Sequence, residues 1–310
     1  MTISQFKKNK QPKRKDQYTE DIFNTIGHTP LIKIGKILAK LETTNPTGSV
    51  KDRMAWYMIR KAEERGELKP GDTIIEVTSG NTGISFAMIS TIRGFRFIAV
   101  MPGSMSIERQ KMMKAFGAKI ILTPAREDMA GAIRKYGALV KKNRDAWLPR
   151  QFENPDNIAA HREGLGKEII KQTNGKIDAF VAGVGTGGTL IGVGQALKEM
   201  SLKIKVIAVE PAESAVLSGK KPGSHQIQGI GEGFVPKLVK ENMGLIDEVI
   251  AIKSQDAIEM TRKLAKNYGV LVGTSSGANV LASMKISKRY KNVVTVLPDG
   301  GERYLSEGFI

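Results

Sequence analysis

Short apolar strands that alternate with helical segments constrain the fold of this 310-residue chain more than any other feature of its sequence. In residues 206–209 every side chain is apolar, which is typical of a strand in a parallel sheet that helices cover on both faces. Several such strands end in turns rich in serine, threonine and glycine, and a helical segment follows the turn. This repeating order of strand, turn and helix predicts a doubly wound α/β fold.

The same pattern predicts the individual strands and a boundary between two domains. We expect strands over residues 31–34, 37–41, 73–77, 97–101, 119–123, 179–184, 205–210 and 293–297, and a short one at residues 271–272. A polar connection at residues 147–157, bracketed by Pro149 and Pro155, marks the boundary. Residues 213–233 are too long for an ordinary connection, so they form either a lid over an active site or a mobile surface loop.

The composition excludes several kinds of site. The chain has no cysteine, which rules out disulfides, thiolate metal sites and a cysteine nucleophile. Its three histidines are far apart in the sequence, so we expect no metal site. No apolar run approaches the roughly 18 residues of a membrane span, and the N-terminus lacks the apolar core of a signal peptide. We therefore expect a cytoplasmic protein that makes no membrane contact.

The net charge of +17 raises the question of nucleic-acid binding. Residues 7–15 carry six basic side chains and no acidic one, so residues 1–17 are predicted to be a disordered basic arm. The remaining positive charge is spread over helical segments without interleaved aromatic residues. We favour a solvated basic surface, and a basic nucleic-acid binder stays as an alternative.

Residues 45–53 place a lysine at the start of a helix. Pro46 and Gly48 favour a tight turn, and Ser49 is a suitable N-cap for a helix over residues 50–65. Lys51 then lies in the first turn, where the positive helix end disfavours an ammonium group and lowers the pKa of the amine. A neutral amine of this kind is a nucleophile that forms Schiff bases. Lys51 is therefore a candidate catalytic residue, although a lysine on a solvated helix face would need no function.

Three further turns between a strand and a helix carry polar groups. In residues 76–83 the backbone N–H groups and three hydroxyls form a cradle for a carboxylate, and Asn81 can bond to an oxygen of a planar ligand. Residues 183–189 form a glycine-rich cup for a phosphate at a helix N-terminus. In the third turn, Ser275 offers a neutral hydroxyl to a pyridine nitrogen. Each turn alone is also an ordinary helix cap.

The phosphate cup also fits a different class of enzyme. Residues 183–188 match the pattern Gly-x-Gly-x-x-Gly, and Glu210 ends the next strand 22 residues after Gly188. A dinucleotide site of the Rossmann type has this arrangement. An NAD-dependent oxidoreductase is therefore a rival prediction.

In their order along the chain, the four motifs resemble the cysteine synthase and cystathionine β-synthase family of pyridoxal-phosphate enzymes. The resemblance runs over residues 18–308 and includes the blocks at residues 27–31, 151–155 and 229–236. It implies the tryptophan synthase β-like fold, also called fold type II, with two doubly wound, mostly parallel sheets. The implied domains are a smaller mobile one, residues 45–154, and a larger cofactor-binding one, residues 18–44 plus 155–310.

The resemblance also implies a role for each candidate residue. Lys51 would hold the cofactor, pyridoxal 5'-phosphate, as a Schiff base and later act as the base on the substrate Cα. Asn81 would bind the 3′-hydroxyl of the cofactor, and Ser275 its ring nitrogen. The residues implied for the cofactor phosphate are Gly185, Thr186, Gly187, Gly188 and Thr189. Those implied for the substrate carboxylate are Thr78, Ser79, Thr82 and Gln151.

The implied reaction is β-replacement, which makes L-cysteine from O-acetylserine and sulfide through an aminoacrylate intermediate. The alternative within the family is condensation of serine, or an O-activated serine, with homocysteine, and residues 298–300 have something of that subgroup's character. Two features depart from the common pattern of the family. The segment 34–36 is shorter than is usual in the family, and Thr47 replaces a frequent glycine. A threonine at this position also occurs in threonine synthases and dehydratases. Against a dehydratase, residues 81–83 read Asn-Thr-Gly where those enzymes usually have Asn-His-Ala.

The expected partners follow from the same resemblance. They are a small amino-acid substrate, sulfide and a second copy of the chain in a homodimer. Some members of the family also bind the C-terminal tail of serine acetyltransferase in the active site, which makes this enzyme a candidate partner.

Overall fold

A computed structural model describes residues 19, 21–78 and 80–309. The predicted basic arm, residues 1–17, and the predicted substrate residue Ser79 lie outside the described residues. In the part that is described, no helix is both long and apolar enough to cross a membrane.

The described strands form two sheets. The larger sheet has the order β1-β2-β9-β6-β7-β8, and the smaller one has the order β3-β4-β5. Only the β1–β2 pair is antiparallel among the strand pairs of the described residues. The bounds are β1 (Leu31–Ile34), β2 (Ile37–Leu41), β3 (Thr73–Val77), β4 (Arg96–Pro102), β5 (Lys119–Thr123), β6 (Ala179–Gly183), β7 (Lys205–Pro211), β8 (Glu248–Ile252) and β9 (Val293–Leu297).

Helices lie between most of these strands. They are α1 (Lys51–Glu64), α2 (Asn81–Arg93), α3 (Ile107–Ala115), α4 (Asp128–Lys142), α5 (Asp156–Ala160), α6 (Lys167–Gln172), α7 (Gly188–Met200), α8 (Lys237–Lys240), α9 (Ser254–Tyr268) and α10 (Thr274–Ile286). A π-helical turn, His161–Gly166, joins α5 to α6. Short 3-10 helices occupy Ile22–Thr25, Glu42–Thr44, Ala125–Glu127, Ala212–Ser214, Met243–Leu245 and Gly301–Glu307.

Helices cover both faces of each sheet, as the apolar strands predict. In β6 the consecutive residues Phe180 and Val181 point to opposite faces, and both are fully buried. Phe180 packs in the cluster that contains Leu190 of α7, whereas Val181 packs in the cluster that contains Val280 of α10. A strand with an apolar core on each face needs apolar side chains at successive positions. The predicted mostly parallel, doubly wound α/β fold is confirmed.

The structure differs from the sequence prediction at three local points. Strand β8 was not predicted, because it lies at the sheet edge and leaves several side chains partly exposed. The predicted strand at residues 271–272 is a single bridge between Val272 and Gly300. Val50 takes the N-cap position of α1 in place of Ser49, whose hydroxyl accepts a weak hydrogen bond of 3.4 Å from the Lys51 N–H.

Candidate functional site

A pocket between the two sheets collects the ends of the elements that the motifs predicted. It is bordered by the carboxyl ends of β3, β6 and β9 and by the first residues of α1, α2, α7 and α10. Ligands of α/β proteins bind at the carboxyl ends of the strands, and helix N-termini favour anions. Four helix N-termini around one pocket therefore suit a ligand with several negative groups. The predicted residues that line it are Lys51, Thr78, Asn81, Thr82, Gln151, Gly185, Thr186, Gly187, Thr189 and Ser275.

Lys51 is the first residue of α1, and its half-buried side chain lines this pocket. Burial lowers the pKa of its amine, and the negative charges of Glu232 and Asp299 raise that pKa in part. The sequence predicted the lowered pKa from the helix end, whereas burial is its main cause in the structure. No residue that the structure describes forms a hydrogen bond or ion pair with the Lys51 amine. It is therefore available to react.

The glycines of the phosphate cup cannot carry a side chain. A Cβ on Gly185 would clash with the backbone oxygen of Gly229, and one on Gly187 would clash with Val239. Gly187 also has φ +90°, which strains other residues. The turn thus stays open so that backbone N–H groups at the start of α7 face the pocket, as binding of a phosphate requires.

Side chains beneath the cup hold its two threonines. Thr186 Oγ1 accepts a hydrogen bond of 3.0 Å from Asn157 Nδ2. Thr189 Oγ1 lies 3.3 Å from Nε2 of His161, which belongs to the π-helical turn. Burial lowers the pKa of His161 well below its ordinary value, and the charges of Lys51 and Arg53 lower it further. A neutral His161 therefore supports the cup without adding a charge.

Substitution of Gly188 by alanine is expected to weaken binding of a phosphorylated ligand by at least about tenfold, or ~1.4 kcal/mol. The new methyl group would overlap the side-chain oxygen of Asn157, which is buried and also supports Thr186. Gly137→Ala is the matched control, because that helical position has no atom within 4 Å of a new Cβ. Titration of both variants with pyridoxal phosphate measures the effect. Equal affinities would show that the cup does not hold the phosphate.

The residues implied for the substrate carboxylate meet at one side of the pocket. Thr82 Oγ1 donates a hydrogen bond of 2.7 Å to Gln151 Oε1, which joins two of these residues directly. Thr78 Oγ1 accepts hydrogen bonds of 3.2 Å from the backbone N–H groups of Gly80 and Gly83 and so caps α2. Ser79 is not among the described residues, so its contribution stays a prediction.

Asn81 and Ser275 are positioned in different ways. The amide of Asn81 donates a hydrogen bond of 2.6 Å to Asp299 Oδ2 and accepts one of 2.5 Å from Arg303 Nη1. Its orientation is therefore set by two charged groups. Ser275 lies in the first turn of α10, and its side chain forms no hydrogen bond with a described residue. That hydroxyl is free to meet an acceptor such as a ring nitrogen.

Several lining residues were not singled out from the sequence. Arg109 of α3 is buried, donates a hydrogen bond of 2.5 Å to Gln228 Oε1, and stacks 4.7 Å from the ring centre of Tyr304. Asp299 and Glu232 bring carboxylates into the pocket. Glu232 belongs to residues 229–236, which resemble a block of the family but for which the sequence predicted no role. Its place beside the phosphate cup depends on tertiary packing.

Glu210, the acidic residue on which the rival prediction of an NAD site depends, is engaged in other contacts. Glu210 is buried, and its carboxylate accepts hydrogen bonds of 2.8 and 3.2 Å from the backbone N–H groups of Leu217 and Ser218. It therefore holds the following loop and is not free to bind a ribose. Within the described ranges, no group of three or more metal-binding side chains is present.

Comparison with known proteins identifies the relatives of this chain. A model of the family described as "Pyridoxal-phosphate dependent enzyme" matches residues 22–299. A cysteine synthase from Staphylococcus aureus is 47% identical over 299 residues, which cover 93% of this chain and 96% of that protein.

Solved structures agree with this relationship. The cysteine synthase of Entamoeba histolytica superposes with a TM-score of 0.90 and 43% identity, covering 100% of this chain and 93% of that one. The O-acetylserine-dependent cystathionine β-synthase of Helicobacter pylori gives a TM-score of 0.89 and 41% identity, with 94% and 99% covered.

The residues present fit the cofactor of this family. The glycine-rich cup accepts a phosphate, the free Lys51 amine suits an aldehyde, and the unpartnered Ser275 hydroxyl suits a ring nitrogen. The sequence match covers most of the chain, and the four motifs lie around one pocket. The chain therefore belongs to the family of pyridoxal-phosphate-dependent enzymes.

Proposed function

We propose that this enzyme makes L-cysteine from O-acetylserine and sulfide by β-replacement. The observation that carries the proposal is the free, half-buried amine of Lys51 in a pocket with a phosphate cup and a carboxylate cradle. The similarity to a cysteine synthase over most of the chain supports the same reaction. O-Acetylserine fits because acetate is a far better leaving group than hydroxide.

In this proposal some side chains hold the substrate and Lys51 transfers a proton. Thr78, Thr82 and Gln151, together with the backbone N–H groups at the start of α2, hold the substrate carboxylate. Lys51 takes the proton from the substrate Cα, because burial lowers the pKa of its amine and so favours the neutral form that can accept a proton. The bound cofactor supplies an electron sink for this step. Loss of acetate from the β-carbon opens that carbon to sulfide.

Ser275 favours loss of the β-substituent over other outcomes. Its hydroxyl can donate a hydrogen bond to the ring nitrogen of the cofactor without protonating it. An aspartate at this position would keep the ring cationic and more strongly electron-withdrawing. With serine, negative charge at Cα is held less well, so expulsion of acetate follows quickly.

Closure of the smaller domain, residues 45–154, over the larger one, residues 18–44 plus 155–310, belongs to the same proposal. The pocket lies between the two sheets, and Thr82 and Gln151 line it and are joined by a hydrogen bond. A substrate carboxylate bound there would draw α2 inwards and exclude water from the reacting carbon. The enzyme is further proposed to act in the cytoplasm as a homodimer and to accept the serine acetyltransferase tail, as its resemblance to the family implies.

Condensation of serine, or an O-activated serine, with homocysteine is the second candidate. The likeness to the Helicobacter pylori enzyme, whose name states that reaction, favours it, as does the Pro-Asp-Gly sequence at residues 298–300. With O-acetylserine as the donor, the two candidates share the first half of the reaction and differ in the nucleophile.

Addition of O-acetylserine to the purified holoenzyme is expected to change its visible absorbance, and sulfide should restore it with release of cysteine. Serine in place of O-acetylserine is the control for the leaving group. Homocysteine in place of sulfide tests the second candidate, with cystathionine as product. Absorbance that responds to serine but not to O-acetylserine would contradict cysteine synthesis from O-acetylserine and favour the second candidate, whereas no response to either donor would contradict both.

A further inference from the structure

Glu232 is an acidic side chain in the pocket that none of the roles above explains. It lines the same cavity as Lys51, and a Cβ on Gly185 would lie 3.9 Å from its carboxylate oxygen. No described residue forms a hydrogen bond or salt bridge with its carboxylate. A carboxylate beside a phosphate cup does not help to bind an anion. Its presence therefore calls for a different function.

The loop around Glu232 is built to hold it in this place. Gly229, Gly231 and Gly233 have φ values of +85°, +73° and +81°, which other residues rarely adopt. The N–H of Gly231 donates a hydrogen bond of 3.0 Å to the backbone oxygen of Val184, which begins the phosphate-cup turn. This loop therefore packs directly against the cup.

A second contact fixes the loop from the other side. His225 Nε2 lies 2.8 Å from the backbone oxygen of Gly231. A side chain on Gly231 would meet Pro211 and His225, so only glycine permits this packing. The backbone conformation of this turn thus directs Glu232 into the pocket.

The charged groups that face Glu232 are Lys51 from α1 and His225 from its own loop. Asp299 also acts on Lys51, but Oδ2 of Asp299 accepts hydrogen bonds from Asn81 and Tyr304. Burial raises the pKa of Glu232, and the charges of Lys51 and His225 lower it in part. Oδ1 of Asp299 is buried without a partner among the described residues, whereas neither carboxylate oxygen of Glu232 accepts a hydrogen bond from a described residue. Glu232 is therefore the less constrained of these two carboxylates.

We infer that Glu232 is the proton acceptor for the incoming sulfur nucleophile, an inference that rests on the proposed β-replacement. Hydrogen sulfide and thiols carry a proton at mildly acidic pH, and the ionised sulfur is the reactive form. As the sulfur pair forms the new bond to the β-carbon, the S–H bond breaks and its proton passes to an oxygen of Glu232. The electron pair displaced to Cα takes up the proton held by Lys51. Glu232 then returns its proton to water at the pocket mouth.

Glu232→Gln tests the inference, because glutamine keeps the shape and removes the base. At mildly acidic pH, where sulfide is mostly protonated, turnover should fall by roughly 10²-fold, the usual contribution of a positioned base. At alkaline pH, where the nucleophile is already ionised, the variant should approach the unmodified enzyme. A loss that is equal at every pH, or no loss, would overturn the inference. Glu241→Gln, at an exposed position outside the pocket, is the control for loss of one charge.

A spectroscopic measurement separates this inference from the proposed function. A pH titration of the visible absorbance of the bound cofactor reports the pKa of the Lys51 nitrogen. Removal of the Glu232 charge should lower this pKa by about one unit, because a nearby anion stabilises the protonated nitrogen. An unchanged titration would show that Glu232 does not face Lys51 and would overturn the inference. Failure of the unmodified enzyme to use O-acetylserine would contradict the proposed function, and the titration would still decide the placement of Glu232.

Discussion

Replacement of Lys51 by alanine is expected to abolish turnover and the visible absorbance that depends on a bond between Lys51 and the cofactor. The loss of rate should be at least the ~10²–10⁴-fold contributed by a proton-transfer group, because we propose that Lys51 both holds the cofactor and serves as the base. The phosphate cup remains intact in this variant, so pyridoxal phosphate should still bind without the covalent bond. Absorbance spectra and cysteine formation measure the two effects.

The assignment of Lys51 can be checked independently of activity. Borohydride reduction of the unmodified enzyme should leave the cofactor attached to the peptide that contains Lys51, as mass spectrometry would detect. Lys61→Ala is the matched control, since Lys61 lies on the same helix and makes a surface ion pair of 2.7 Å with Glu64, which contributes little to stability. Attachment of the cofactor to any other lysine would contradict the role proposed here.

The parts of the site that local sequence determines were predictable. A turn that needs glycine, a strand that is apolar at every position and a helix that begins at a lysine each leave a pattern within about ten residues. The parallel sheets were therefore found from the sequence, as were the Lys51 turn and the glycine-rich turn that line the pocket. The relation among the motifs came from their resemblance to a family, because no single motif fixed the chemistry.

The contacts that join distant segments were not predictable. Asn81 bonds to Asp299 across 218 residues and to Arg303 across 222, so the sequence around Asn81 gives no sign of either partner. The approach of Glu232 to Lys51 likewise depends on how the loop packs against the cup. Strand β8 was missed for a related reason, since a partly exposed edge strand lacks the continuous apolar pattern of a buried one.

The second large effect is expected on stability, at a group of four charged side chains, which are Lys40, Glu42, Arg53 and Glu168. Arg53 of α1 donates hydrogen bonds of 2.6 and 2.9 Å to Glu42 and of 2.7 and 2.9 Å to Glu168. Lys40 of β2 donates a further one of 2.7 Å to Glu168. These bonds connect the start of α1, two residues after Lys51, to β2 and α6. The group therefore anchors the helix that presents the Lys51 amine to the pocket.

Arg53→Met is expected to destabilise the protein by about 3–5 kcal/mol, because it leaves the buried Glu42 and the partly buried Glu168 with only Lys40 to balance their charges. Arg60→Met is the matched control on the same helix, since Arg60 makes an exposed pair of 3.5 Å with Glu64 and lies 5.4 Å from the ring centre of Tyr57. This substitution should matter by less than about 1 kcal/mol. Thermal and urea unfolding of the two variants measure the difference. Equal stability of the two variants would contradict a structural role for the group.

The pH dependence of this effect identifies the carboxylate that Arg53 stabilises. Burial alone would raise the pKa of Glu168, but hydrogen bonds and charge from Arg53 and a hydrogen bond from Lys40 lower it to about 2. Because the folded pKa lies below the unfolded value of about 4.3, this stabilisation is complete above that value and is lost as the pH falls towards 2. The gap in stability between the unmodified enzyme and Arg53→Met should therefore be widest near neutral pH and narrow below about pH 4. A gap that stays constant through this range would mean that Arg53 acts by packing alone.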